Sequence, residues 1–162
     1  MHFGSNWNSV ANGVLGNWQV SGILQVRGGF PSTVSAGDAS GTGGRSPRAD
    51  CLGPPTYAGG TPVSTGGIQW VNPDSFGPEL PGAFGTCSVD GFTGPGLRTF
   101  DLSVQKSFAI TESKRIEFRS EFINFTNTPI FNAPSTYIGA GFGQITSSQG
   151  ARNIQFGLKI YY

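Results

Sequence analysis

The chain has 162 residues, enough for one domain of ordinary size, and carries a net charge of +1 with only 12% charged residues. Its ten Lys and Arg are scattered without a cluster, which argues against nucleic acid or anionic lipid as a partner recognised by charge. Gly (26) and Pro (11) are abundant, but 12% aromatics with so few charges is the wrong balance for a disordered chain, so short strands joined by large Gly/Pro loops fit better.

In chain order, "MHFGSNWNSV" lacks the basic start and apolar stretch of a secretory signal, and no apolar run approaches the roughly 18 residues of a membrane helix. Either the protein stays in the cytosol or it continues upstream of Met1. A partial strand is expected near residues 2–10. His2, the single histidine, has no partner in the sequence and reads as a tail residue rather than a ligand or base. After a short turn at 11–16, "NWQVSGILQVR" (17–27) alternates with period two, which predicts a half-buried strand. Trp18, Val20, Leu24 and Val26 share one face and Asn17, Gln19, Ser21, Gln25 and Arg27 the other, with Ile23 breaking the polar side.

Residues 28–97 read as a long loop. "SGTGGRSP" (40–47) lacks the Lys and Ser/Thr of a phosphate-binding loop and predicts only a flexible connection. Trp70, Phe76 and Phe84 in this loop, with Phe131, Tyr137 and Phe142 in the next, are expected to pack the loops down rather than to bind sugar. Cys51 and Cys87 also fall here, with no neighbouring Cys or His to suggest a metal site. They are candidates for a disulfide, which would imply an oxidising compartment; two unpaired small residues are the alternative.

The next strand is "RTFDLSVQKSF" (98–108), with Phe100, Leu102, Val104 and Phe108 opposite Thr99, Asp101, Ser103, Gln105 and Ser107. A short turn at 109–114 leads into "RIEFRSEFINF" (115–125), where Ile116, Phe118 and Phe122 oppose Arg115, Glu117, Arg119 and Glu121 before Ile123 and Phe125 blur the pattern. Glu117, Arg119 and Glu121 could suggest a paired-carboxylate site, but a charge ladder paired with neighbouring strands is the stronger reading. A second long loop, 126–152, precedes the last strand, 153–162, which sets Ile154, Phe156, Leu158 and Ile160 against Asn153, Gln155, Gly157, Lys159 and Tyr161.

Strands of about ten residues, joined alternately by short and long connections, are the pattern of a membrane β-barrel, with brief inner turns and extended outer loops. Ten residues at a tilt near 45° span roughly 25 Å, the height of the apolar band of such a barrel. If the last strand descends, both long loops fall outside and both short turns inside. The expected fold is therefore all-β, an antiparallel up-and-down meander of about five strands from an outer-membrane barrel, each strand beside the next, with the loops disordered. On this reading Trp18, Val20, Leu24, Phe100, Leu102, Val104, Phe118 and Phe122 face lipid, and Asp101, Glu117, Arg119, Glu121 and Lys159 face the lumen.

The stretches "GNWQVSGILQVRGGFPSTV", "RADCLG", "WVNPDSF", "GPGLRTFDLSVQKSFAITESKRIEFRSEFINFTNTPIFNAP" and "FGQITSSQGARNIQFGLKIYY" cover most of the chain. In that order they resemble the C-terminal end of TonB-dependent outer-membrane receptors, specifically the large Oar-like transporters with a carboxypeptidase-regulatory-like domain upstream. The resemblance implies that Phe156, Leu158, Ile160 and Tyr162 form the terminal signal read by the barrel-assembly machinery. It also implies energy-coupled uptake of a bulky solute of unknown identity, through the TonB complex, with outer-membrane lipid as the surrounding solvent. The plug and the coupling segment of such receptors have no counterpart in these residues. About five strands cannot close a barrel, since the smallest closed ones use eight, and open edges in lipid leave backbone groups unpaired at several kcal/mol each. The chain is therefore expected to be the C-terminal part of a longer protein or a truncated gene, in the bacterial outer membrane, with no cofactor and no enzymatic activity. The competing readings are a structural or adhesive surface protein and, further off, a soluble all-β binding module.

Overall fold

A computed structural model of the protein describes residues 13–41, 43 and 47–162; His2 and the partial strand expected near 2–10 lie outside them. Four long strands, Trp18–Arg27, Leu97–Ala109, Arg115–Ile123 and Asn153–Tyr161, form one sheet in the order of the sequence. The alternation of β-branched and aromatic residues with polar ones suits a pleated surface with two unlike faces. The second and third strands pair antiparallel from Leu102↔Phe122 to Ala109↔Arg115, and the third and last from Asn153↔Ile123 to Tyr161↔Arg115. The first strand also runs antiparallel to the second: the Ser107 N–H donates to the Asn17 carbonyl (3.3 Å), while Gly22 lies against Phe100 and Asp101. The first and last strands do not pair with each other, so among the described residues the sheet stays open.

The short connection between the second and third strands is closed by Lys114, whose carbonyl accepts from the N–H groups of Ile110 (2.9 Å) and Thr111 (3.1 Å). The Thr111 hydroxyl accepts from the Lys114 N–H in return (3.1 Å). A tight connection of this kind fixes register, and with a period of two it fixes which side chains share a face.

The third strand stops at Ile123, not at residue 125, because Asn124 adopts φ 52 and leaves the extended region. That turn swings Phe125 onto the even-numbered face, where its ring meets Phe100 (6.1 Å, edge-on) and Phe122 (5.7 Å, edge-on). The blurred end of the alternating pattern is thus a change of backbone direction.

The chain divides into two compact units, one holding the long strands (residues 1–25, 98–128 and 150–162) and one made of residues 26–97 and 129–149. The second unit is not the pair of disordered loops expected between the long strands. It has a core of Val34, Ala36, Ala49, Val71, Phe76, Cys87, Phe92 and Phe142. Phe76, Phe92 and Phe142 meet edge-to-face with centroids 5.4 to 6.4 Å apart, the favoured arrangement of aromatic quadrupoles. A three-stranded antiparallel sheet orders Gln144–Ile145, Gly67–Val71 and Tyr57–Val63, and the unit holds three further pairs of two-residue strands. One of these pairs joins Asp50–Cys51 to Phe76–Gly77. Cys51 is bonded to Cys87 across 36 residues of sequence (S–S 2.07 Å). The segment beside it approaches so closely that a Cβ on Gly85 would stand 1.7 Å from the Arg48 carbonyl oxygen, a contact only glycine permits.

Candidate functional site

Strand register sorts the long-strand side chains into two faces. On the even-numbered face the rows across the second, third and last strands are Leu102–Phe122–Ile154, Val104–Ser120–Phe156, Lys106–Phe118–Leu158 and Phe108–Ile116–Ile160. Phe118 and Phe156 stack with centroids 6.1 Å apart. Val20 and Leu24 are exposed, as are Phe156 (69%) and Leu158 (66%). Ser120, polar on this face, is buried and satisfies itself by donating to the Val104 carbonyl (3.2 Å). Water-facing surface does not normally carry contiguous apolar rows of this extent.

The odd-numbered face carries Ser103–Glu121–Gln155, Gln105–Arg119–Gly157, Ser107–Glu117–Lys159 and Ala109–Arg115–Tyr161. Here the groups hydrogen-bond across strands. Glu121 accepts from Gln155 Nε2 of the last strand (2.9 Å) and forms an ion pair with Arg119 of its own strand. Glu117 accepts from the Tyr161 hydroxyl (2.9 Å), while the Arg115 guanidinium lies 4.0 Å and the Lys159 ammonium 4.6 Å from the Tyr161 ring centroid. Asp101 spends its Oδ1 on the Asn124 N–H (2.8 Å), so it anchors the end of the third strand. Exposed pairs of this kind contribute only about 0–1 kcal/mol each, so the ladder matters more for the polarity of the face than for stability. A cleft of about 280 Å³ opens among Ser21, Ile23, Asp101, Ser103, Arg119 and Glu121.

The family model described as an outer membrane beta barrel domain matches residues 1–155. The chain belongs to the outer membrane beta barrel domain family. As a member of that family it resides in the bacterial outer membrane. No curated protein and no solved structure matches the chain significantly. Its all-β, antiparallel sheet is that of a piece of outer-membrane barrel. No helix among the described residues is long and apolar enough to cross a membrane, which has no bearing on crossing by strands.

In this barrel-domain chain, Trp18, Val20, Leu24, Phe100, Leu102, Val104, Phe118 and Phe122 fall on the even-numbered face. Glu117, Arg119, Glu121 and Lys159 share the odd-numbered face with Asp101. Phe156, Leu158 and Ile160 stand in the last strand, but Tyr162 lies one residue past its end and is 99% exposed. Of the loop aromatics, Phe76 and Phe142 are buried and Trp70 packs against the core, its indole N–H donating to the Thr93 carbonyl (2.8 Å); Phe84 and Tyr137 are exposed. No group of three His, Cys, Asp or Glu among the described residues is placed to hold a metal ion.

Two residues that matter were not singled out by the alternating pattern. Lys106 is a cation set among apolar side chains on the even-numbered face of the second strand, and it is only 3% exposed. Its position between Val104 and Phe108 was the signal. Asn124 is a buried amide that bonds Thr128, four residues on, and the Gly150 carbonyl, 26 residues on.

Proposed function

We propose that this chain is the C-terminal segment of a TonB-dependent, Oar-like transporter, contributing barrel wall, outer loops and terminal assembly signal to the uptake of a bulky solute. The observation that carries the reading is the two-faced sheet, with exposed apolar rows opposite a hydrogen-bonded polar ladder. In a barrel wall the even-numbered face meets lipid, where burying apolar side chains is favourable, and the odd-numbered face lines a wet lumen. The free edges of the first and last long strands pair with further strands of the same wall, since unpaired backbone groups in lipid cost several kcal/mol each. Catalysis has no place in this account. The barrel-assembly machinery reads Phe156, Leu158, Ile160 and Tyr162, and the TonB complex engages regions outside these residues.

An antibody against residues 28–97 tests this through the mass of the native polypeptide in the outer-membrane fraction. The transporter reading expects a band several times larger than the chain's 17.0 kDa. A band at 17.0 kDa would overturn it and favour the structural or adhesive surface protein, assembled from several copies.

A further inference from the structure

Lys106 stands on the apolar face, opposite Phe118 in the ladder, yet its ammonium is buried and has no ion-pair partner among the described residues. Nζ donates to the carbonyls of Val14 (2.9 Å) and Gly16 (2.7 Å) and lies 4.8 Å from the Trp18 ring centroid and 5.0 Å from that of Phe108. Trp18 Nε1 donates to the same Val14 carbonyl (2.9 Å). Two donors from the apolar face therefore converge on one short turn, residues 13–16, and hold it over that face. A buried ammonium is tolerated only when dipoles or charges replace its water, and here the turn's carbonyls and two aromatic rings do so. With the Val14 and Gly16 carbonyls turned toward Lys106, the turn "GVLG" contains no charged residue and leaves Val14 (60%) and Leu15 (50%) exposed.

We propose that residues 13–16 form a membrane-interface anchor, a turn clamped by Lys106 and Trp18 against the lipid-facing side of the sheet so that Val14 and Leu15 enter the phospholipid boundary. The occupant is phospholipid because the turn continues the apolar face that includes Trp18, Val20 and Leu158. Its Val14 and Gly16 carbonyls are engaged by Lys106 and, at Val14, by an indole, the side chain that favours the membrane–water boundary. Lys106 is then a positioning residue: its cation replaces the water that the Val14 and Gly16 carbonyls would otherwise require. The inference rests on the reading that the even-numbered face meets lipid.

The photoreactive residue p-benzoylphenylalanine, placed at Leu15 or at Leu158 in the native polypeptide in its outer membrane, distinguishes the two. Irradiation followed by mass spectrometry reads phospholipid adducts. Both positions are expected to give them, and Lys106→Met should lower the adduct at position 15 several-fold while leaving that at 158 unchanged. Lys106→Arg, which keeps a cation, should retain both. Lipid adducts at 158 with none at 15, or protein adducts at 15, would overturn the anchor and leave the lipid-facing sheet standing. An adduct at 15 that is indifferent to Lys106→Met would overturn the clamp. No lipid adduct at 158 would sink the lipid-facing reading and the anchor with it.

Discussion

Asn124 sits at φ 52, in the left-handed region that asparagine tolerates better than most residues, and is 3% exposed. Its side chain closes the turn after the third long strand: Oδ1 accepts from the Thr128 N–H (3.0 Å) and Nδ2 donates to the carbonyls of Thr128 (2.8 Å) and Gly150. One residue thus ends the strand, satisfies three backbone groups and ties the turn to the start of the last strand. Replacing it with alanine leaves those groups unpaired and keeps the unfavourable φ, so Asn124→Ala should cost about 2–4 kcal/mol. Asn124→Gly relieves the backbone term and should cost about half as much. Urea titration of the detergent-solubilised protein checks the order, and equal losses would mean that φ contributes nothing. Sequence alone did not mark this asparagine, because the groups it satisfies include a carbonyl 26 residues away.

The long strands were legible because their signal is local: a period of two, read over ten residues, fixes both the element and its faces. The unit built from residues 26–97 and 129–149 was not legible. Its core brings Val34, Val71, Phe92 and Phe142 together from segments with no shared period, joined through Gly/Pro-rich stretches where Gly66 (φ 81) and Gly143 (φ 71) turn the chain. Two-residue strands have no periodicity to detect. Such short elements hold through packing and through the Cys51–Cys87 bond, which cross-links two segments that flank Ala49 and Phe76 of the core. Closing a loop of that length contributes on the order of 3–4 kcal/mol. Reduction with dithiothreitol, or Cys87→Ser, should therefore expose residues 28–97 to protease while the four-stranded sheet stays protected. Protease resistance unchanged by reduction would mean the aromatic core holds the loop unit unaided.

At the scale of the whole molecule, the two faces of the sheet divide the labour, one apolar and one polar. The polar ladder was legible in the sequence as Glu117, Arg119 and Glu121, and the structure adds the partners that make it continuous: Gln155, Tyr161 and Arg115. Lys106 went unnoticed because its partners, the Val14 and Gly16 carbonyls, are 92 and 90 residues away. A soluble domain would have to cover the rows that end in Phe156, Leu158 and Ile160 with another layer, whereas a barrel wall covers them with lipid. The most direct measurement is a scan of single cysteines through residues 154–159 of the native polypeptide in intact outer membranes, read by reaction with a small, membrane-impermeant maleimide. The bonded native cysteines stay silent. The account predicts a strict period of two, with positions 155, 157 and 159 reactive and 154, 156 and 158 protected; uniform reactivity along the strand would contradict it.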